Sequence, residues 1–332
     1  MKLSILDQAP IAEGMTARDA LEASVKLAQL GDELGYARYW IAEHHSMPGL
    51  ACSAPEVMLA CIGANTKRIR IGTGAVLLPH YKPYKVAEVH HMLATLFPGR
   101  IDIGIGRAPG GSAEAAMALS DNFLKQVYRM PELAEELLHF LHQDFPEDHP
   151  LAKVTAAPVP PEPPEAWMLG TSIKSAHLAA EKGLAYAFGQ FMSEQSGAEI
   201  IREYKARFMP GKQNDRPKSL AAVSVICAET TEKAEELSLS VRLWQVLQEK
   251  GEGAEGVPTA ETAKNYPYSD AEQKKMEEMK KKMIIGTPKE VKHQLHALQD
   301  RFGTDELMLV TIAHDYEARL RSYQLIAEEM GL

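Results

Sequence analysis

Short apolar runs alternate with longer stretches of helical period along most of the chain, and one junction keeps returning between them. A helical stretch ends at a glycine and an apolar strand begins within a residue or two. This happens at Glu33-Leu34-Gly35-Tyr36, Pro98-Gly99-Arg100-Ile101, Lys182-Gly183-Leu184 and Phe302-Gly303-Thr304. Glycine past a helix end takes the left-handed turn that closes it. Repeated helix–strand alternation predicts parallel strands, either in a doubly wound sheet or closed into a barrel.

Strands are predicted over 3–7, 38–42, 69–74, 101–106, 166–169, 185–188, 221–228 and 307–312. The first helix starts at Thr16, where Asp19 three residues on offers a capping box, and Leu27, Leu30 and Leu34 give it a buried stripe. Further helices are predicted over 54–65, 83–96, 132–142, 174–182, 194–208, 232–248 and 316–330, with helix formers also returning near Pro288. Eight strands with following helices favour an α/β (β/α)8 barrel, one domain over 1–332, over an open sheet. Two insertions break the rhythm. Residues 144–165 are rich in proline and read as an extended connector, with a docking motif as the alternative. Residues 250–285 open with Gly251, Gly253 and Gly256 and close in a Lys/Glu-rich run; a segment this long reads as a mobile lid or as disorder.

Bulk properties narrow the function. A chain of 332 residues with 45% hydrophobic content can build one large core. A net charge of −9 argues against nucleic acid or anionic membrane as a partner. No apolar run approaches the about 20 residues of a membrane span, and the N-terminus reads as a strand, not as a signal peptide. Cys52, Cys61 and Cys227 are scattered, without a CxxC pair. They point to a reducing, cytoplasmic setting and away from disulfides or a zinc site.

Candidate chemistry gathers at strand ends, where parallel α/β proteins place their sites. Tyr39-Trp40-Ile41-Ala42 ends abruptly in Glu43-His44-His45, Gly74-Ala75 follows the third strand, Arg107 the fourth, and Gly170-Thr171-Ser172 the fifth. In a barrel all four converge on one rim. The last cluster delivers hydroxyls to a helix start, which favours an anion. Thr171, Ser172 and Ser175 could donate to a phosphate with Arg107 supplying charge; ordinary N-capping explains the same residues without a ligand. His44 suits acid–base work, with Glu43 able to orient or tune it; a purely structural histidine is the alternative. Adjacent His44-His45 and His90-His91 make poor chelating pairs, and the second pair reads as structural or solvated. The glycines of Gly72-Thr73-Gly74-Ala75 allow backbone to come close to a flat ligand. These residues lead as far as a phosphate-containing ligand beside a candidate acid–base histidine.

Trp40-Ile41-Ala42-Glu43-His44-His45, Ile71-Gly72-Thr73-Gly74-Ala75-Val76-Leu77-Leu78-Pro79 and Phe97-Pro98-Gly99-Arg100-Ile101-Asp102-Ile103-Gly104-Ile105-Gly106-Arg107 resemble, in order, motifs of the bacterial luciferase-like flavin monooxygenases. The resemblance implies a TIM barrel that uses reduced FMN and O2 through a C4a-peroxyflavin, with His44 as catalytic histidine. It implies a cis peptide at Gly74-Ala75 beneath the flavin ring, FMN phosphate contacts at Arg107, Thr171, Ser172 and Ser175, and a lid over 250–285. Relatives of this kind are typically homodimers, and a separate flavin reductase supplies the reduced FMN. Gly106 stands where the light-emitting α-subunit carries a cysteine, and Thr171 where it carries an acid, so light emission is not expected. A deazaflavin-dependent oxidoreductase on the same fold, or a flavin-binding protein without turnover, are the alternatives.

Overall fold

Eight parallel strands close into a ring in the computed structural model, which describes residues 1–253 and 256–332. They are β1 (Lys2–Asp7), β2 (Arg38–Ile41), β3 (Arg70–Leu77), β4 (Ile101–Gly106), β5 (Glu165–Gly170), β6 (Ala185–Gly189), β7 (Ser219–Cys227) and β9 (Glu306–Val310), with a short β8 (Ile284–Gly286) outside the ring. β1 pairs with β2 on one side and β9 on the other, and β6 pairs with β7, which completes the circle. The (β/α)8 barrel expected from the alternation is the observed fold. β7 holds two neighbours in turn: Leu220–Ser224 pair with β9, and Val225–Cys227 with β8. Three residues of β8 are too few to show an alternation in the sequence.

The helices are α1 (Ala17–Leu34), α2 (Pro55–Asn65), α3 (Pro83–Leu96), α4 (Ala113–Leu119), α5 (Phe123–Tyr128), α6 (Met130–His142), α7 (Ile173–Glu181), α8 (Gly197–Arg207), α9 (Thr231–Glu249), α10 (Ala260–Asn265), α11 (Asp270–Lys282), α12 (Pro288–Phe302) and α13 (Tyr316–Met330). The Thr16–Asp19 capping box starts α1, and Thr287 and Glu290 make another at α12. Gly35 (φ 90°) and Gly303 (φ 60°) close those helices in the left-handed conformation their positions predicted. α4 and α5 lie beyond the sequence reading because each is too short to display a helical period. The connector between α6 and β5 carries neither helix nor strand. In the second insertion α10 and α11 rest on α9, and Val257 pairs with Ala12.

Side chains alternate across each strand and build two apolar layers. Outward residues such as Ile5, Tyr39, Ile41, Ile71 and Ile103 pack under the helices, while Leu6, Trp40, Trp167, Leu220 and Met308 fill the ring. At the N-terminal ends of the strands the interior turns ionic. Arg38 donates to Asp102 at 2.7 Å and to Glu306 at 2.6 Å, Arg70 donates to Asp102 at 2.8 Å, and Ser4 donates to Glu306 at 2.6 Å. Trp40 adds its N–H to Asp102 at 2.9 Å, and the Arg38 guanidinium lies 4.8 Å from the Trp167 ring. Burial opposes ionisation of Asp102, but Arg38, Arg70 and the Trp40 N–H outweigh it and hold the carboxyl below its ordinary value. This plug and the two indoles above it close one end of the barrel. The opposite, C-terminal end is open.

Candidate functional site

The open end holds a cavity of about 480 Å3. Eight residues singled out in the sequence lie on its wall: Glu43, His44, Gly74, Ala75, Arg107, Thr171, Ser172 and Ser175. They converge because each follows a strand end, and a closed barrel gathers strand ends onto one rim.

The chain leaves β2 at Ile41 and crosses the rim. His44 N–H donates to the Cys52 carbonyl at 2.9 Å and His45 N–H to the Gly110 carbonyl at 2.7 Å, so backbone bonds fix the loop on both sides. His44 Nδ1 is buried and has no hydrogen-bond partner among the described residues. Burial, reinforced by His45, lowers the His44 pKa to about 4, which leaves a neutral imidazole at pH 7. Glu43 does not touch it. The Tyr81 hydroxyl donates to Glu43 Oε1 at 2.6 Å, His45 Nε2 lies 2.7 Å from the same oxygen, and Leu77 N–H donates to Oε2 at 3.1 Å. The geometry therefore corrects the expectation that this carboxylate directly orients the His44 ring: consecutive side chains point apart, and Glu43 serves His45, Tyr81 and the end of β3.

Gly74-Ala75 is a cis peptide. A Cβ on Gly74 would lie 2.7 Å from Leu6 Cδ1, and one on Gly106 would lie 3.2 Å from the Ala75 Cβ, so a side chain at either position would have to displace its neighbour. Arg107, directly after β4, is exposed and forms no ion pair or hydrogen bond among the described residues. Ser172 and Ser175 form a capping box at the start of α7, and Ser175 Oγ also donates to the Ser172 carbonyl at 2.7 Å and lies 3.1 Å from the Tyr186 hydroxyl. The N-capping reading of the sequence is thus correct for Ser172. It leaves the side chain of Thr171 and the first helical N–H groups, of Ile173 and Lys174, without an acceptor inside the helix. Burial pushes the Tyr186 hydroxyl up to about 12 against its contact with Ser175 and the charge of Arg107.

The apolar part of the wall came from places the sequence did not mark. Phe123, Leu124 and Val127 of α5 line it, as do Phe191 and Met192 in the turn after β6. Gln8 and Ala108 to Gly110 contribute as well, and no described residue of 250–285 does. His90 and His91 sit inside α3, bonded to the carbonyls of Val86 (2.9 Å) and Ala156 (2.6 Å). Among the described residues no group of three or more His, Cys, Asp or Glu is placed to hold a metal ion. No described helix is long and apolar enough to cross a membrane.

A neutral histidine with an orphan nitrogen, a close-packed backbone turn, an unpaired guanidinium and an open helix start suit a flat ligand carrying a phosphate. The family model for luciferase-like monooxygenases matches residues 1–305. The Bacillus subtilis protein YwcH is 45% identical over 99% of this chain and 98% of its own. The N-acetyl-S-alkylcysteine monooxygenase of Bacillus subtilis is 37% identical over 99% of this chain and 98% of its own. The solved structure of apo-MsnO8 superposes with a TM-score of 0.90 at 37% identity, covering 100% of this chain and 98% of the other. From strand order to rim residues, the chain belongs to the luciferase-like monooxygenases.

Proposed function

We propose that the protein is an FMN-dependent monooxygenase that takes reduced FMN and O2 and places an oxygen atom on a small organic substrate. The observation that carries this reading is the buried, unpartnered Nδ1 of His44 on a wall shared with Arg107 and the start of α7. A buried polar atom without a partner costs about 1–3 kcal/mol, and a ligand that bonds to it recovers that cost. Reduced FMN, when bound, supplies the electrons that activate O2. Arg107, the Thr171 hydroxyl and the free N–H groups of α7 would hold the phosphate. Ser172 and Ser175 would act by fixing that helix start. Gly74 and Ala75 would lie against the ring. His44, neutral at pH 7, can take up or deliver one proton beside it. The apolar wall from α5 and Met192 keeps water out of the reacting volume.

A separate flavin reductase would supply the cofactor, and the chain would work as a homodimer in the cytoplasm. The N-acetyl-S-alkylcysteine monooxygenase among its relatives puts thioethers first in a screen that also includes aldehydes, sulfonates and ketones. The His44→Ala protein is expected still to bind FMN, but about 10-fold or more weakly because the bond to Nδ1 is gone, and to lose product formation by about 10²-fold or more. Full turnover in that variant would remove the catalytic assignment. Tight binding of a deazaflavin with no binding of FMN would overturn the choice of cofactor.

A further inference from the structure

We infer that Glu43 is a positioning residue: its carboxylate ties the loop that carries His44 to the end of β3 that carries Gly74 and Ala75, and so sets the spacing between the imidazole and the turn facing it. The consequence for catalysis rests on the flavin reading above; the tie itself does not.

One carboxylate gathers groups from three places. Tyr81 reaches it from the turn after β3 (2.6 Å), the Leu77 N–H from β3 itself (3.1 Å), and His45 from the next residue but one in its own loop (2.7 Å). Leu77 lies two residues beyond Ala75, and His45 one beyond His44, so the bonds join the two backbone segments that flank the cavity. Glu43 is 4% exposed. A charge so deeply buried is costly unless its oxygens are satisfied, and here both are, by groups other than His44. That leaves Glu43 no bond through which to move a proton to or from His44. It leaves it well placed to hold the loop still.

The same network reaches the apolar wall. His80, next to Tyr81, lies 2.9 Å from the Pro109 carbonyl through Nε2 and stacks on Phe123 of α5 with ring centres 4.6 Å apart. Loosening Glu43 therefore frees the His44 loop, the β3 end and one anchor of α5 together.

Three variants test the tie: Glu43→Ala, Glu43→Gln and Tyr81→Phe. Glu43→Gln keeps an acceptor for Tyr81 and His45 but sets its NH2 against the Leu77 N–H and so releases the bond to β3, and Tyr81→Phe removes one donor from a half-buried position, so either serves if the alanine variant does not fold. In flavin-free protein, hydrogen exchange at the Leu77 amide should accelerate about 10-fold or more in Glu43→Ala. With FMN and substrate, kcat should fall about 10²-fold in Glu43→Ala, the scale of a 1 Å misplacement. It should fall by less than about 10-fold in Glu43→Gln and Tyr81→Phe, with KM and the pH profile of kcat unchanged. An unchanged Leu77 exchange rate in the alanine and glutamine variants would overturn the tie. A glutamine variant as inactive as alanine, with a displaced pH profile, would make Glu43 a proton carrier instead. If the wild-type protein binds no FMN, the flavin reading fails while the exchange measurement still decides the tie.

Discussion

The two ends of the barrel hold polar groups on opposite terms. At the floor, Arg38, Arg70, Asp102 and Glu306 form a buried cluster in which each charge has a partner of opposite sign. At the mouth, His44 Nδ1 is buried without a partner and Arg107 stands unpaired among the described residues. The fold pairs its buried charges at the floor within the same ring of strands, although Trp167 Nε1 and Ser219 Oγ nearby are buried without a partner among the described residues. What sets the mouth apart is that the unpartnered imidazole and the unpaired guanidinium belong to residues lining one cavity, which marks the end that a ligand completes. The lesson is general for this architecture: the closed end is built for stability and the open end for chemistry.

The largest effect should come from breaking the floor. Replacing Asp102 with alanine removes the acceptor for Arg38, Arg70 and Trp40. Urea denaturation should show a loss of about 3–5 kcal/mol, the cost of leaving buried charge uncompensated. Arg107→Ala, at the mouth, should leave that stability within about 0.5 kcal/mol of wild type. It should instead weaken FMN binding by at least about 10-fold, as expected for a charge-assisted bond of about 1.5–3 kcal/mol, in a fluorescence titration. Equal losses of stability in the two variants would erase the contrast between the ends. Ser172→Ala removes the cap of α7 and should cost about 1 kcal/mol of stability, with a smaller loss of FMN affinity than Arg107→Ala.

The subtlest effect is a pH dependence. The folded pKa of His44 lies near 4, below the ordinary 6.5, because burial disfavours its charged form and His45 adds to this. Unfolded protein thus binds the extra proton first as pH falls. Stability is intact above pH 6.5, declines between 6.5 and about 4, and levels off below. A His44→Gln variant should lack one proton's worth of that slope, about 1.4 kcal/mol per pH unit. Asp102 is shifted in the same direction, by the cations beside it and against burial, and its contribution is lost at more acidic pH, below its ordinary 3.8. Parallel stability curves for wild type and His44→Gln between pH 4 and 6.5 would show that the imidazole is not held neutral.

Much of this arrangement was legible in the sequence because it is local. Glycine after a helix, an apolar run after the glycine, and a polar cluster after the run are neighbours in the chain. They locate the strands, and a closed barrel then brings Glu43, His44, Gly74, Ala75, Arg107, Thr171, Ser172 and Ser175 to one cavity. Partnerships across the chain were not legible. Tyr81 lies 38 residues from the carboxylate it bonds, and Asp102 lies 64 from Arg38. The apolar wall stayed hidden for a different reason. Its residues sit on α5, six residues long, and on the short turn after β6, segments without a period to read.

The central claim is that the orphan imidazole and the unpaired guanidinium address one ligand. A crystal structure with FMN soaked into it tests this most directly. The account predicts the isoalloxazine within hydrogen-bond reach of His44 Nδ1, about 3 Å, and the phosphate at Arg107 and the start of α7. A flavin bound away from His44, or with its phosphate elsewhere on the rim, would contradict it.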